Sequence, residues 1–347
     1  MAGPMGYRNY RGRTPKWKAV LAVVLVLVIL AAVAVIVLQQ YIVYDETGTP
    51  HLPLPWQEQQ EPAGDLGEVD ITIQEPERAQ AIRGFCAPVP LGREAWSHSL
   101  YQAQETFDCN AVAVTLKDSQ GNVYFDSAAA LPGTVEVLEE ETDAALSAVL
   151  SLAEQGDRDL YTIARLSCFH DPRAANSNVD GMGLKNTGGY IFYDGNNSQW
   201  LDPGKPAARR YLCELAREAA ALGFDEILLT DVGYPTEGKL DKIDYGEVTK
   251  ERNLTDFLEE MRAALEPYGV ALSVEVPEAV ISGGGDEAAG LALADIAPRV
   301  DRIYAETAPE RIEALEAAVS AADGSTMFVP GLETYDPSVT GSCLLLN

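Results

Sequence analysis

From residue 80 onward, the chain alternates between short apolar runs and longer segments in which apolar residues recur every three or four positions. The first pattern is typical of buried strands and the second of amphipathic helices. Strands are predicted at Ile82–Val89, Ala111–Lys117, Tyr161–Phe169, Asp225–Thr230, Val270–Val276, Val300–Tyr304, Thr326–Val329 and Cys343–Leu346. Helices are predicted at Glu94–Thr106, Val135–Ala153, Pro206–Leu222, 254–265, Asp286–Ile296 and Pro309–Ala321.

This alternation predicts an α/β fold with a parallel sheet, because parallel strands need helical crossovers. Eight strands that alternate with helices over residues 80–347 favour a (β/α)8 TIM barrel. A short strand at Val123–Phe125 is expected to form a hairpin after a Gly-Asn turn. A doubly wound open sheet is the alternative, but no glycine-rich phosphate turn follows the first strand.

The residues before the barrel predict a membrane anchor and a spacer. Residues 19–41 begin with an unbroken apolar run of 20 residues, Ala19 to Leu38, about 30 Å as a helix, which matches a bilayer core. Residues 1–18 carry five basic side chains and no acid, so we expect them in the cytoplasm and the rest outside. A cleaved signal peptide is the alternative, although its apolar region is usually shorter. Residues 42–79, rich in Pro, Glu and Gln, predict an extended linker.

Charge and composition then exclude several functions. The chain has 53 acidic against 25 basic residues and a net charge of −28, which argues against nucleic-acid binding. Five cysteines without a CxxC motif favour buried thiols, with one disulfide as the alternative. The three histidines lack metal-ligand spacing, so no metal and no cofactor are predicted.

Charged residues recur where the predicted strands end, and in a barrel the carboxyl ends of the strands form the active site. These candidates are Lys117, Arg165, His170, Asp171, Asp231, Glu275, Glu306 and Glu333. An acidic protein also has carboxylates on its loops that serve no function, so any single acidic candidate could be such a surface residue. Arg165 and Glu275 are stronger candidates because each interrupts an apolar run, and burying a charge is costly unless it is paired or used.

Several segments together resemble a known family. They are Asn110–Asp118 with Tyr124–Ser127, Tyr161–Arg165 through Phe169–Pro172, Trp200–Pro203, and Gly223–Ile227 through Tyr234–Pro235. Over roughly residues 80–340 the chain resembles the glycoside-hydrolase-like domain of bacterial membrane-anchored or exported proteins. The resemblance implies a TIM barrel that hydrolyses a sugar polymer with strand-end carboxylates.

The chain departs from that family at its strand ends. Thr115 and Thr230 stand where the family usually has Asp, and Gly233 stands where it has Arg. Asp231 lies one residue after Thr230, and such a shift turns a side chain to the opposite face of a strand. We therefore expect Asp231 to serve only if the strand ends or bulges there.

The leading hypothesis is an extracytoplasmic glycoside hydrolase acting on an envelope or extracellular polysaccharide, with Glu275 as general acid and Asp231 as nucleophile or base. Lys117, Arg165 and His170 are expected to position substrate hydroxyls or hold a carboxylate ionised, and Asp171 is a further substrate-binding candidate. Trp200 and Tyr234, with Tyr190 and Tyr193, would either stack on sugar rings or pack the loops. Glu306 and Glu333 are further substrate-binding candidates. The alternatives are an inactive barrel that binds an envelope glycan or a protein partner, and a structural spacer.

Overall fold

Eight parallel strands close into a barrel in the computed structural model of the chain. The structure describes residues 81–88, 92–130, 145–151 and 160–346, together with Val43–Tyr44 and Pro50–His51, which pair antiparallel. The predicted cytoplasmic tail, membrane anchor and nearly all of the linker lie outside these residues, as does much of the predicted helix Val135–Ala153. No helix within the described part of the chain is long and apolar enough to cross a membrane.

The barrel strands follow one another in chain order, so each pairs with its sequence neighbours and the last pairs with the first. They are β1 Arg83–Cys86, β2 Ala111–Lys117, β3 Tyr161–Ser167, β4 Glu226–Thr230, β5 Ala271–Glu275, β6 Arg302–Glu306, β7 Met327–Leu332 and β8 Cys343–Leu345. The closed parallel barrel with helices confirms the predicted (β/α)8 architecture. At the predicted hairpin, only Val123 forms a bridge, with Lys117.

The named helices are α1 Arg93–Thr106, α2 Pro172–Ser177, α3 Pro206–Ala221, α4 Lys250–Leu265, α5 Glu278–Gly283, α6 Leu293–Ile296 and α7 Ile312–Ala322. Residues 145–151 are also helical. Local chemistry sets these bounds. The Thr249 hydroxyl accepts a hydrogen bond from the Arg252 amide at the start of α4. Pro206 occupies the first turn of α3, where no amide hydrogen is needed.

The predicted helix Asp286–Ile296 is wrong. After α5, Gly285–Asp286 instead pairs antiparallel with Leu291–Ala292, and only Leu293–Ile296 is helical, as the short helix α6. Gly284 ends α5 in the left-handed region, with φ +79°. The Asp286 carboxylate then accepts the amides of Ala288 and Ala289, which turns the chain back. These local bonds compete with the helix.

Side chains inside the barrel alternate with those that face the helices. The interior layer contains Ile82, Ala111, Ala113, Ile163, Leu228, Tyr304, Val329 and Leu344, all buried. Below this layer, at the amino ends of the strands, the Glu226 carboxylate pairs with Arg302 at 2.6 Å. Arg302 also donates to the Tyr161 hydroxyl at 3.1 Å. Burial raises the pKa of Glu226, while the positive charge of Arg302 opposes that rise.

Removing one partner of this buried pair should strongly destabilise the barrel. We expect Arg302→Met to lower the free energy of unfolding by about 3–5 kcal/mol, because Glu226 is left charged and unpaired. Adding Glu226→Met to that variant should recover much of the loss. The measurement is urea unfolding of the full-length protein. Arg252→Met is the matched control, because it removes the largely exposed Arg252–Asp256 pair and should cost less than about 1 kcal/mol. Equal losses for the two single variants would contradict a structural role for the buried pair.

Candidate active site

The mouth of the barrel contains an ion pair between Arg165 of β3 and Glu275 of β5. The Arg165 Nη2 and Glu275 Oε2 atoms lie 2.7 Å apart, and the side chains are 23% and 31% exposed. Arg165 lies two residues beyond the interior Ile163, so it shares the inward face of its strand. The pair therefore lies above the apolar layer and within reach of solvent.

Arg165 also contacts the thiol of Cys86 at the end of β1, with Nη1 3.8 Å from Sγ. Burial lowers the pKa of Arg165, but Cys86, Glu275 and Asp231 together raise it above its ordinary value. Burial raises the pKa of Cys86 to about 11, although Arg165 acts in the opposite direction. The guanidinium is therefore charged at neutral pH, whereas the neighbouring thiol is protonated.

Asp231 reaches the same mouth through its backbone conformation. β4 ends at Thr230, and Asp231 adopts φ +52°, in the left-handed region. Its carboxylate accepts a hydrogen bond from the Ser167 hydroxyl at 2.6 Å. The strand thus ends where the sequence analysis required it to end, and Asp231 lies near enough to Arg165 to raise that residue's pKa. Ser167 was not predicted, although it lies two residues beyond Arg165 on the same face of β3.

An aromatic pair follows β3 at the edge of the mouth. The His170 and Trp200 rings stack with centroids 4.5 Å apart and an interplanar angle of 8°. Trp200 Nε1 donates to the Asp194 carboxylate at 2.8 Å, and His170 Nε2 lies 2.7 Å from the Ser198 hydroxyl. Both rings are partly exposed. Two planar side chains held in this way can offer a flat apolar face to a sugar ring.

Lys117 and Asp171, by contrast, are fully buried. Their charged groups pair at 2.9 Å, with both side chains 0% exposed. Lys117 Nζ also donates to the Ser167 carbonyl at 2.7 Å, and the Asp171 carboxylate accepts the Ala174 amide at the start of α2. Neither side chain is accessible to a glycan in this structure. The pair instead supports the end of β3 that carries Ser167.

The remaining predicted residues divide between the core and the surface. Tyr234 is 2% exposed and its hydroxyl accepts a hydrogen bond from Asn253, so it packs in the wall. Glu306 and Glu333 are exposed at the ends of β6 and β7. Within the described barrel, neither carboxylate bonds to the Arg165–Glu275 pair. The structure thus brings Arg165, Asp231 and Glu275 together at the mouth.

No metal centre is evident in the described ranges, where no three His, Cys, Asp or Glu side chains are grouped as ligands. The site instead offers two carboxyl groups, one guanidinium and an aromatic face. A (β/α)8 barrel with carboxyl groups at its carboxyl-terminal mouth is the arrangement that glycoside hydrolysis uses.

Comparison with known proteins agrees with that class. The model of the family described as "Putative glycosyl hydrolase domain" matches residues 91–321, more than half of the chain. The chain belongs to this family. A search of curated proteins gives no match.

Among solved structures, the chain is similar to the PgaB (BpsB) glycoside hydrolase domain from Bordetella bronchiseptica. That likeness has 18% identity and a TM-score of 0.50, and it covers 73% of this chain and 84% of that one; it supports the barrel fold alone. A hypothetical protein from Ruminiclostridium thermocellum is 28% identical over 52% of this chain and 90% of its own, with a TM-score of 0.44.

The backbone at Asp231 predicts how substitutions there will affect stability. Asp and Asn tolerate the left-handed region better than Ala. For Ala this conformation costs about 1–2 kcal/mol of conformational free energy. We expect Asp231→Asn to keep the thermal stability of the full-length protein and Asp231→Ala to lower it. Asp231→Gly should be more stable than Asp231→Ala, since glycine adopts this conformation freely. Differential scanning calorimetry tests the order, and equal stability of the Ala and Gly variants would contradict it.

Proposed function

We propose that this protein is a glycoside hydrolase that cleaves an extracytoplasmic or envelope polysaccharide, with Asp231 and Glu275 as its catalytic carboxyl groups. The observation that carries the proposal is the left-handed turn at Asp231, which brings a second carboxyl group to the mouth where Glu275 lies. Hydrolysis of a glycosidic bond requires two such groups, one as proton donor and one as nucleophile or base.

The contacts of the two groups favour a definite division of roles. Glu275 is paired directly with Arg165, and an ion pair stabilises the carboxylate form that a nucleophile or base needs. Asp231 has no ion-pair partner among the described residues; it contacts the hydroxyls of Ser167 at 2.6 Å and Thr230 at 3.4 Å, which can accept a hydrogen bond from a protonated carboxyl as well as donate to an ionised one. We therefore assign Asp231 as the general acid and Glu275 as the nucleophile or base. This assignment is the reverse of the one suggested by the sequence.

The neighbouring groups fit a sugar substrate. The stacked His170–Trp200 face lies just after β3. The Ser167 hydroxyl lies 3.3 Å from the His170 carbonyl and also donates a hydrogen bond to the Asp231 carboxylate. A sugar ring resting on this face would therefore lie on the loop that leaves the strand end where the proton donor is held. Residues 19–41 would tether the barrel to the cell membrane, with residues 1–18 in the cytoplasm and the barrel outside.

Leaving-group dependence separates the two catalytic roles. We expect Asp231→Asn and Glu275→Gln each to lower reducing-end release from envelope polysaccharide by about 10²–10⁴-fold. On dinitrophenyl glycosides the Asp231→Asn variant should keep most of its rate, because that leaving group needs no protonation. Glu275→Gln should lose activity on both substrates. Steady-state rates of the detergent-solubilised full-length protein provide the measurement.

Glu313→Gln is the matched control, since Glu313 is an exposed carboxylate on the outer helix α7, and it should keep wild-type rates. If Glu275→Gln keeps its rate on dinitrophenyl glycosides and Asp231→Asn loses it, Glu275 is the general acid instead. Wild-type rates in both variants would contradict the proposed site. A wild-type protein that binds envelope glycan without cleaving it would favour the inactive-barrel alternative.

The membrane tether has its own test. We expect the full-length protein to remain with bacterial membranes after a carbonate wash and its barrel to be digested by protease added to intact spheroplasts. Deleting residues 19–41 should abolish membrane retention, because the apolar run that matches the bilayer is lost. Release of the full-length protein by carbonate would contradict the tether.

A further inference from the structure

A groove of about 620 Å³ lies on the loops that follow β3 and β4, at the same end of the barrel as the candidate active site. Its lining includes Asn186, Tyr193, Asp194, Lys239 and Lys242. Tyr193 is 47% exposed, and Tyr190, on the same hairpin, is 75% exposed. Large exposed aromatic side chains at the edge of a concavity are typical of binding surfaces.

Backbone contacts fix the shape of the groove. Lys185 and Ile191 pair across a short hairpin, and Asn186 pairs with Ile243 of the next loop. The Thr187 amide donates to the Lys242 carbonyl at 2.8 Å. The loops also approach closely at Gly238, where an added Cβ would lie 2.9 Å from the Gly195 nitrogen. The groove is therefore formed before a ligand arrives, which reduces the entropy cost of binding.

The lining of the groove is less acidic than the chain as a whole. It has two lysines and one carboxylate, Asp194, with the carboxylates of Glu237 and Asp241 beside it, whereas the whole chain carries −28. The Asp194 oxygens are already occupied by the Trp200 indole and by the amides of residues 196 and 198. Lys242 pairs with the exposed Asp241 at 2.8 Å. Lys239 is exposed and makes no hydrogen bond or salt bridge with any side chain that the structure describes, although its charge also acts on the Asp241 carboxylate.

The groove is linked to the stacked His170–Trp200 pair through Asp194. One of its oxygens holds Trp200, which stacks on His170, so the aromatic face and the groove share a side chain. A chain of sugars bound at the mouth would reach the groove by passing over this face. The cations then select which chain binds, because an anionic group on a more distant sugar would meet Lys239 and Lys242.

We propose that this groove is a subsite for a negatively charged glycan chain, whose carboxylate or phosphate groups pair with Lys239 and Lys242 while Tyr193 packs against a sugar ring. This proposal rests on the proposed function in that the ligand is a glycan, and it names the class of that glycan as anionic.

Isothermal titration calorimetry of the full-length protein tests the subsite without turnover. The probes are a short oligogalacturonate, its neutral methyl ester and a poly(glycerol phosphate). We expect at least one anionic probe to bind more tightly than the ester, and added salt to weaken that binding. The two anionic probes distinguish carboxylate from phosphate as the recognised group.

Substitutions then locate the binding. Lys239→Gln with Lys242→Gln should weaken the anionic probe about tenfold, and Tyr193→Ala should weaken all probes that bind. Arg252→Gln with Arg262→Gln is the matched control, because it removes the same charge from exposed positions on α4 and should leave binding unchanged. Equal binding of the oligogalacturonate and its ester with no binding of the phosphate polymer, or no binding of any probe, would overturn the proposal.

The two proposals fail separately. Hydrolysis that persists without groove binding would overturn the subsite alone. Intact groove binding in a protein that cleaves no glycan would overturn the proposed catalysis and keep the subsite.

Discussion

The inward face of β3 links the polar groups at both ends of the barrel. Residues two apart on a strand share a face, and on β3 these are Tyr161, Ile163, Arg165 and Ser167. Tyr161 accepts from the buried Arg302 below, Ile163 lies in the apolar layer, and Arg165 pairs with Glu275 above. Ser167 then holds Asp231. A shift of β3 by one residue would turn all four side chains away from the barrel interior. The Glu226–Arg302–Tyr161 contacts below and the Glu275 and Asp231 contacts above would then be lost together.

The ion pairs of the barrel fall into two groups, those that are buried and one that solvent can reach. Glu226–Arg302 and Lys117–Asp171 are almost completely buried, so their charges are satisfied only by each other and by nearby protein groups. Such pairs specify one arrangement of the strands, since losing a partner leaves a buried charge. Arg165–Glu275 is about one quarter exposed, and a substrate can reach it. The same chemistry therefore supports the structure where it is buried and is accessible to a ligand only at Arg165–Glu275.

Sequence patterns could predict the strands and part of the site because both depend on local signals. Arg165 and Glu275 were identifiable because each interrupts an apolar run. The turn at Asp231 depends on a backbone angle, and no residue type specifies φ +52° there. The pairing of Lys117 with Asp171 joins two strand ends, so it emerges only when β2 lies beside β3. Gly290, which adopts φ +75°, is the residue inside the predicted helix Asp286–Ile296 that could have warned of the turn.

The unequal loops explain why the candidate chemistry lies on one side of the mouth. The connection from β3 to α3 contains α2, the stacked His170–Trp200 pair and the hairpin of the groove. β6, in contrast, is followed almost at once by the turn Pro309–Arg311 and α7. Loops vary more readily than the strands that support them. Because the carboxyl groups come from strand ends and the aromatic and basic groups from loops, substrate choice can change through the loops while the position of Asp231 against Ser167 stays fixed.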